Sequence, residues 1–148
     1  MGNCHYTYLT SEAVTEGHPD KICDQISDAI VDAYLTQDPA SHVAVESFVS
    51  GNVLTLAGEV ASAATVDVTA LARKVIADIG YTDPSLGFTA DSCLVFTNIH
   101  QQSTDIQQGL TQAEGDRIVG SGDQGIMYAN ATNEPPNYMP LPVNQAQG

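Results

Sequence analysis

The apolar residues Ile22, Ile26, Ile30 and Tyr34 recur four apart, and this spacing constrains the chain more than any other feature. A stripe at that pitch belongs to an amphipathic α-helix, which must bury it against a second layer. Ala29 and Ala33 widen the stripe, so the predicted helix runs from Pro19 to about Thr36, with Asp38-Pro39 ending it. Pro19 suits the first turn, where its missing N–H has no partner to lose, and Asp20 complements the positive end of the dipole. Asp24, Asp28 and Asp32 form a parallel acidic stripe. Their mutual repulsion costs only roughly a few tenths of a kcal/mol per pair, and a solvated face is expected for them.

The remaining elements follow from period-two patterns and turn residues. Tyr6 to Thr10 reads as a short strand and Ser11 to Gly17 as a loop. His42 to Val49 and Val53 to Ala61 read as two strands joined at Ser50-Gly51-Asn52. Thr65 to Ile79 is a second amphipathic helix, with Val68, Leu71, Ala72, Val75, Ile76 and Ile79 on one face and Gly80 as its stop. Cys93 to Ile99 reads as a buried strand. The order strand, helix, strand, strand, helix, strand predicts an α+β two-layer sandwich with both helices on one sheet face. His100 to Gly122 is rich in Gln, Gly, Ser and Thr and reads as a long loop. Glu134 to Gly148, with Pro135, Pro136, Pro140 and Pro142, is expected to form no regular helix.

The hairpin turn decides where two carboxylates go. A two-residue Gly51-Asn52 turn sets Ser50 opposite Val53, Glu46 opposite Ala57 and Ala44 opposite Glu59. Glu46 and Glu59 then share one sheet face as diagonal neighbours about 7–8 Å apart, with room for a cation or an ammonium group near them. A three-residue loop would put them on opposite faces, and each would then be an ordinary exposed sheet residue.

Charge and cysteine usage exclude several function classes. Four Lys and Arg against eighteen Asp and Glu give a net charge of −14 in 148 residues, so no nucleic-acid partner is expected. A triphosphate would be repelled as well, unless metals or a second chain supply positive charge. No apolar run approaches the length of a membrane span and no secretory segment is recognisable, so the expectation is a cytoplasmic protein without a membrane partner. Cys4, Cys23 and Cys93 have no metal-ligand spacing and are expected to be reduced thiols. Met1-Gly2-Asn3-Cys4 is a poor lipidation signal because Tyr6 replaces the Ser or Thr of the myristoylation pattern. Gly120-Ser121-Gly122-Asp123-Gln124-Gly125 matches G-x-G-x-x-G, yet a loop precedes it and Asn and Pro soon follow. It is not a dinucleotide fingerprint.

The strongest chemical signal is Glu16-Gly17-His18-Pro19-Asp20-Lys21 at the first helix start. Unpaired N–H groups there attract phosphate or carboxylate, His18 offers a proton, Lys21 a positive charge and Asp20 oxygen ligands for a hard cation. The combination fits a metal-bound polyphosphate; the alternative is a capped surface helix with scattered charges.

The run TSEAVTEGHPDKICDQ, from Thr10 to Gln25, closely resembles the N-terminal signature of S-adenosylmethionine synthetase (methionine adenosyltransferase). Val45-Glu46, Gly58-Glu59, Ile79-Gly80-Tyr81, Gln102-Ser103-Thr104-Asp105-Ile106, Gly122-Asp123-Gln124-Gly125 and Ala131-Thr132-Asn133-Glu134 fall in that family's order. The resemblance implies a β-α-β-β-α-β unit of the synthetase fold over residues 6–104, an active-site loop over 105–125, and a surface tail or the start of a second repeat over 126–148. It implies the transferase reaction that joins ATP and L-methionine into S-adenosylmethionine, with phosphate and diphosphate released. His18 and Lys21 would be catalytic, Asp20 would bind magnesium (Mg2+) and Glu46 potassium (K+), and Glu59, Gln102 and Asp123 would hold methionine. A homodimer is implied as well, since sites of the family form between two subunits. The family's further acidic ligands and its lysine and arginine cluster follow Gly125 and are not in this sequence. The resemblance therefore leaves three readings: part of an enzyme completed by a partner chain, a noncatalytic methionine- or adenosine-binding module, and an interaction module pairing with itself or a full-length synthetase.

Overall fold

A computed structural model describes residues 7–101 and 126–148. They fall into two units, one within Glu16–Gln124 and the other within Met1–Thr15 and Gly125–Gly148. In the first unit, helix α1 (Pro19–Gln37) is followed by strands β1 (His42–Ser50) and β2 (Val53–Ala61), helix α2 (Val68–Ile79) and strand β3 (Leu94–Gln101). The sheet order is β1-β2-β3, with β1 antiparallel to β2 and β2 parallel to β3. A parallel pair needs a crossover, and α2 supplies it. The fold is α+β, as the order of patterns predicts.

Both helices cover one face of the sheet, because each has one apolar stripe and nothing else to bury it against. Ile22, Ile26, Ile30 and Tyr34 of α1 join Ala72 and Ile76 of α2, Val45 of β1, and Leu54 and Leu56 of β2 in a single core. Burying a large aliphatic side chain contributes about 1.5–3 kcal/mol, so these positions carry much of the unit's stability. The Arg73 guanidinium pins the segment entering β3, donating to the carbonyls of Ala90, Asp91 (3.2 Å) and Cys93 (3.0 Å). At the opposite end of α1 the Asp38 carboxylate accepts from the backbone N–H groups of Ala63 (2.9 Å) and Ala40 (3.0 Å), joining the α1–β1 turn to the segment after β2. These backbone donors hold its pKa below the ordinary value.

Several expectations are corrected. Residues 7–10 form no strand: a strand exists only through its neighbours, and Tyr8 and Leu9 are largely exposed. Helix α2 begins later than Thr65 because the Asp67 carboxylate caps it, accepting from the Ala70 N–H at 2.9 Å. Strand β3 is not buried. Val95 and Ile99 pack on the core, whereas Leu94 and Phe96 lie on the face that the helices leave open. His100 and Gln101 belong to β3 and not to a loop. The rest of the expected loop and the glycine-rich stretch to Gly125 lie outside the described residues, as does Met1-Gly2-Asn3-Cys4. In the second unit, Leu141–Gln147 is a short helix, α3, despite the prolines. Pro140 stands at its N-cap and Pro142 in its first turn, positions where a missing N–H breaks no helical bond. Among the described residues no helix is long and apolar enough to cross a membrane.

Candidate active site

Pro19 is the first residue of α1, and His18 before it is the N-cap. The His18 Nδ1 accepts from the Asp20 N–H at 3.2 Å, meeting one of the helix's unpaired donors. Acceptance through Nδ1 leaves Nε2 as the ring nitrogen available to donate. The Asp20 carboxylate is 89% exposed and lies 3.9 Å from the same Nδ1. Lys21 lies beside Asp24, with Nζ 3.4 Å from the carboxylate. The residues before the helix are tied down from two sides. Gln25 donates from Nε2 to the Glu16 carbonyl at 3.0 Å, and the Tyr81 hydroxyl donates to the Gly17 carbonyl at 2.7 Å. Burial pushes the nearby Cys23 thiol up, as do the charges of Asp20 and Asp24, so it is a poor nucleophile. Cys23 and Cys93 are both free thiols.

The second group of residues lies on the sheet. Ser50 pairs with Val53, Glu46 with Ala57 and Ala44 with Glu59, the register of a two-residue Gly51-Asn52 turn. Glu46 and Glu59 thus share a face as diagonal neighbours. That face is the open one. The Ser27 hydroxyl of α1 meets the Ser47 hydroxyl at 2.8 Å, so α1 covers the face of Val45, Ser47 and Val49, and Glu46 between them points the other way. His18, Asp20 and Lys21 are therefore on the helical side, while Glu46 and Glu59 are on the uncovered side. Within one chain the structure does not bring these two groups together. Gln102 and Asp123 lie outside the described residues.

His100 is a residue that sequence reasoning missed. It pairs with Glu59 in the parallel β2–β3 register and so stands beside it on the open face. Continuing the β3 alternation past Ile99 would have found it. Further along the same face are Phe48, Leu94 and Phe96, each more than half exposed. The open face is thus acidic where Glu46 and Glu59 lie and apolar toward the hairpin turn.

Of the acidic stripe of α1, only Asp24 joins one of these groups, through its ion pair with Lys21. Asp28 and Asp32 line an open groove of about 520 Å³ between α1 and α2, together with Glu16 and Asp78. Among the described residues no three His, Cys, Asp or Glu side chains cluster closely enough to hold a metal by themselves. Asp20 fits magnesium of a different kind, since that ion keeps several waters and takes one or two carboxylates besides substrate phosphates.

The family model for the S-adenosylmethionine synthetase N-terminal domain matches residues 6–104. S-adenosylmethionine synthase 1 of Rhodopseudomonas palustris is 55% identical over 135 residues, covering 91% of this chain and 34% of its own. The corresponding synthase 1 of Rhodospirillum rubrum is 52% identical, covering 95% of this chain and 36% of its own. The synthase of Gloeothece citriformis is 51% identical, with 93% and 35% covered. The chain thus spans about a third of the length of the curated relatives it matches.

Proposed function

Because the chain belongs to the S-adenosylmethionine synthetase family through that family's N-terminal domain, we propose that it supplies part of a methionine adenosyltransferase site. The reaction is attack of the methionine sulfur on the 5′ carbon of ATP. The new S–C bond makes a sulfonium, and the C–O bond breaks to release triphosphate, which water then cleaves to phosphate and diphosphate. No strong nucleophile or base is needed; alignment and stabilisation of charge on the departing oxygen decide the rate.

Each residue has a part in this reading. His18, donating from Nε2, stabilises the oxygen that leaves the 5′ carbon. Lys21 lies beside the phosphates, and Asp20 holds magnesium. Bound there, magnesium supplies positive charge to the phosphate oxygens. Glu46 holds potassium. Glu59, with Gln102 and Asp123, receives methionine, its carboxylates answering the substrate ammonium. The observation that carries the reading is the closeness of an N-capping imidazole, an exposed acid and a half-exposed lysine at the start of α1. That arrangement presents donors, a cation and a metal ligand at one point.

The two groups lie on different sides of the sheet, so a finished site draws them from two chains. The exposed Phe48, Leu94 and Phe96 beside Glu46 and Glu59 favour a homodimer that closes over this face. A turnover assay with methionine and MgATP, read together with particle mass, tests the proposal. It should be run on the 148-residue chain alone and after addition of the downstream two-thirds of a relative. Formation of S-adenosylmethionine by a dimeric species is expected on addition, and failure of every mixture to turn over would end the proposal.

The charge balance favours a second reading. Four basic residues in the whole sequence leave a triphosphate poorly neutralised. A noncatalytic methionine- or adenosine-binding module, or one that pairs with a full-length synthetase, accommodates that shortage. Calorimetry with methionine, ATP and S-adenosylmethionine separates the two: heat without turnover in any mixture supports the second.

A further inference from the structure

We propose that Tyr81 is a positioning residue for His18, acting with Gln25 as a clamp on the two peptide carbonyls that precede it. The inference rests on the reading of His18 given above and adds residues to which that reading assigned no role. Gly17 and Glu16 are the last residues before the N-cap, and the helix's own ladder begins after them, with the Ile22 N–H donating to the His18 carbonyl at 2.9 Å. Each of their two carbonyls is taken by a side chain from a different element. The Tyr81 hydroxyl, from the turn after α2, donates to the Gly17 carbonyl at 2.7 Å, and Gln25 Nε2, from the second turn of α1, donates to the Glu16 carbonyl at 3.0 Å. Gln25 also donates to the Lys21 carbonyl at 3.0 Å, which fixes its amide against the helix.

Tyr81 is itself held on every side. Its N–H donates to the Ile76 carbonyl at 3.1 Å, and its carbonyl accepts from the Ala90 N–H at 2.9 Å. Its ring meets that of Phe88 edge to face, with centroids 5.3 Å apart. Phe88 is buried in the main core. The hydroxyl is therefore a fixed post, and the peptide before His18 is referred to the core through it. A Cβ added at Gly17 would come within 3.3 Å of the same oxygen, so the glycine lets the peptide approach this closely. Rigid support of this kind is what a proton donor needs when a small displacement weakens transition-state contact.

Tyr81→Phe removes only the hydroxyl and keeps the ring contact with Phe88. The test is made on the ¹⁵N-labelled 148-residue chain, reading the imidazole nitrogen signals of His18 and the urea midpoint in the same samples. With Tyr81→Phe we expect the excess of Nε2–H over Nδ1–H tautomer to fall about fivefold, toward that of a solvated imidazole, as the capping geometry loosens. The urea midpoint should move little. A Gln25→Leu variant should shift the same signals in the same direction, and it provides the test if Tyr81→Phe fails to fold. His18 signals that superpose on those of the unmodified chain in a folded variant would overturn the proposal. Because neither readout needs turnover, a synthetase reading that fails leaves this result intact, and the reverse also holds.

Discussion

Replacing Gly58 with alanine should damage both the sheet and the carboxylate beside it. Gly58 lies in the middle of β2 opposite Val45, with a φ of 145°. A Cβ built there would stand 2.0 Å from the Ala44 carbonyl oxygen and 3.0 Å from the Val45 Cα. Both are backbone atoms of the neighbouring strand, so no side chain can swing aside. Relief requires β1 to move away by about 1 Å or more, stretching ladder hydrogen bonds. Overpacking of this kind costs about 1–3 kcal/mol, and holding a non-glycine residue at positive φ adds about 1–3 kcal/mol. The sum, about 2–6 kcal/mol, is a large part of the stability of an ordinary domain. Urea unfolding followed by circular dichroism reads it: with a slope of about 2 kcal/mol per molar, the midpoint should drop by about 1–3 M. Gly51→Ala is the control, since Gly51 also has a positive φ, 56°, but nothing within 4 Å of the added Cβ. That change should cost only about 1–2 kcal/mol. Equal losses for the two variants, or a loss below about 1 kcal/mol at Gly58, would refute the steric argument.

The acid response depends on Asp38, whose pKa is lowered chiefly by the Ala63 and then the Ala40 backbone N–H. Its contribution is present above the unfolded value of 3.8 and is lost as pH falls through the folded value, so Asp38→Asn should flatten the decline in melting temperature below about pH 4. Arg73→Met leaves the carbonyls of Ala90 and Cys93 without their shared donor and should cost about 1.5–3 kcal/mol by thermal denaturation. His18→Ala removes a cap and should cost about 1 kcal/mol, whereas His18→Asn keeps the cap and should lose only a few tenths of a kcal/mol. In a preparation that turns over, both His18 variants should lose S-adenosylmethionine formation alike, which separates the chemical role from the capping one.

The parts of this fold that were legible in the sequence are those fixed by local rules. Pro19 and the stripe from Ile22 to Tyr34 located α1, and the hairpin was narrowed to two registers, of which the structure adopts the Gly51-Asn52 one that puts Glu46 and Glu59 on the same face. Faces covered by distant elements were not legible in the same way. An apolar run such as Leu94 to Ile99 looks buried throughout, but only alternate residues meet the helices, and the sequence does not say that the other face stays open. The same limit explains Tyr8 and Leu9, whose strand-like pattern has no described neighbour to pair with. At the tail, counting prolines outweighed asking where in a helical turn each would stand. For the candidate site, local rules put His18 at the start of α1, and the two-residue turn, one of two the sequence allowed, puts the glutamate pair on one face. Periodicity assigns residues to faces and not to chains, so it could not tell that the two groups lie on opposite sides of one sheet.

That separation makes the division of labour between chains directly measurable. His18→Asn and Glu59→Gln chains should be prepared separately, then mixed in equal amounts with the downstream two-thirds of the Rhodopseudomonas palustris synthase present. If each site takes its helix start from one copy and its glutamate face from the other, half the dimers are mixed and each holds one intact site. Turnover should then recover to about a quarter of the unmodified level. Activity of the mixture no higher than that of either variant alone would contradict the account.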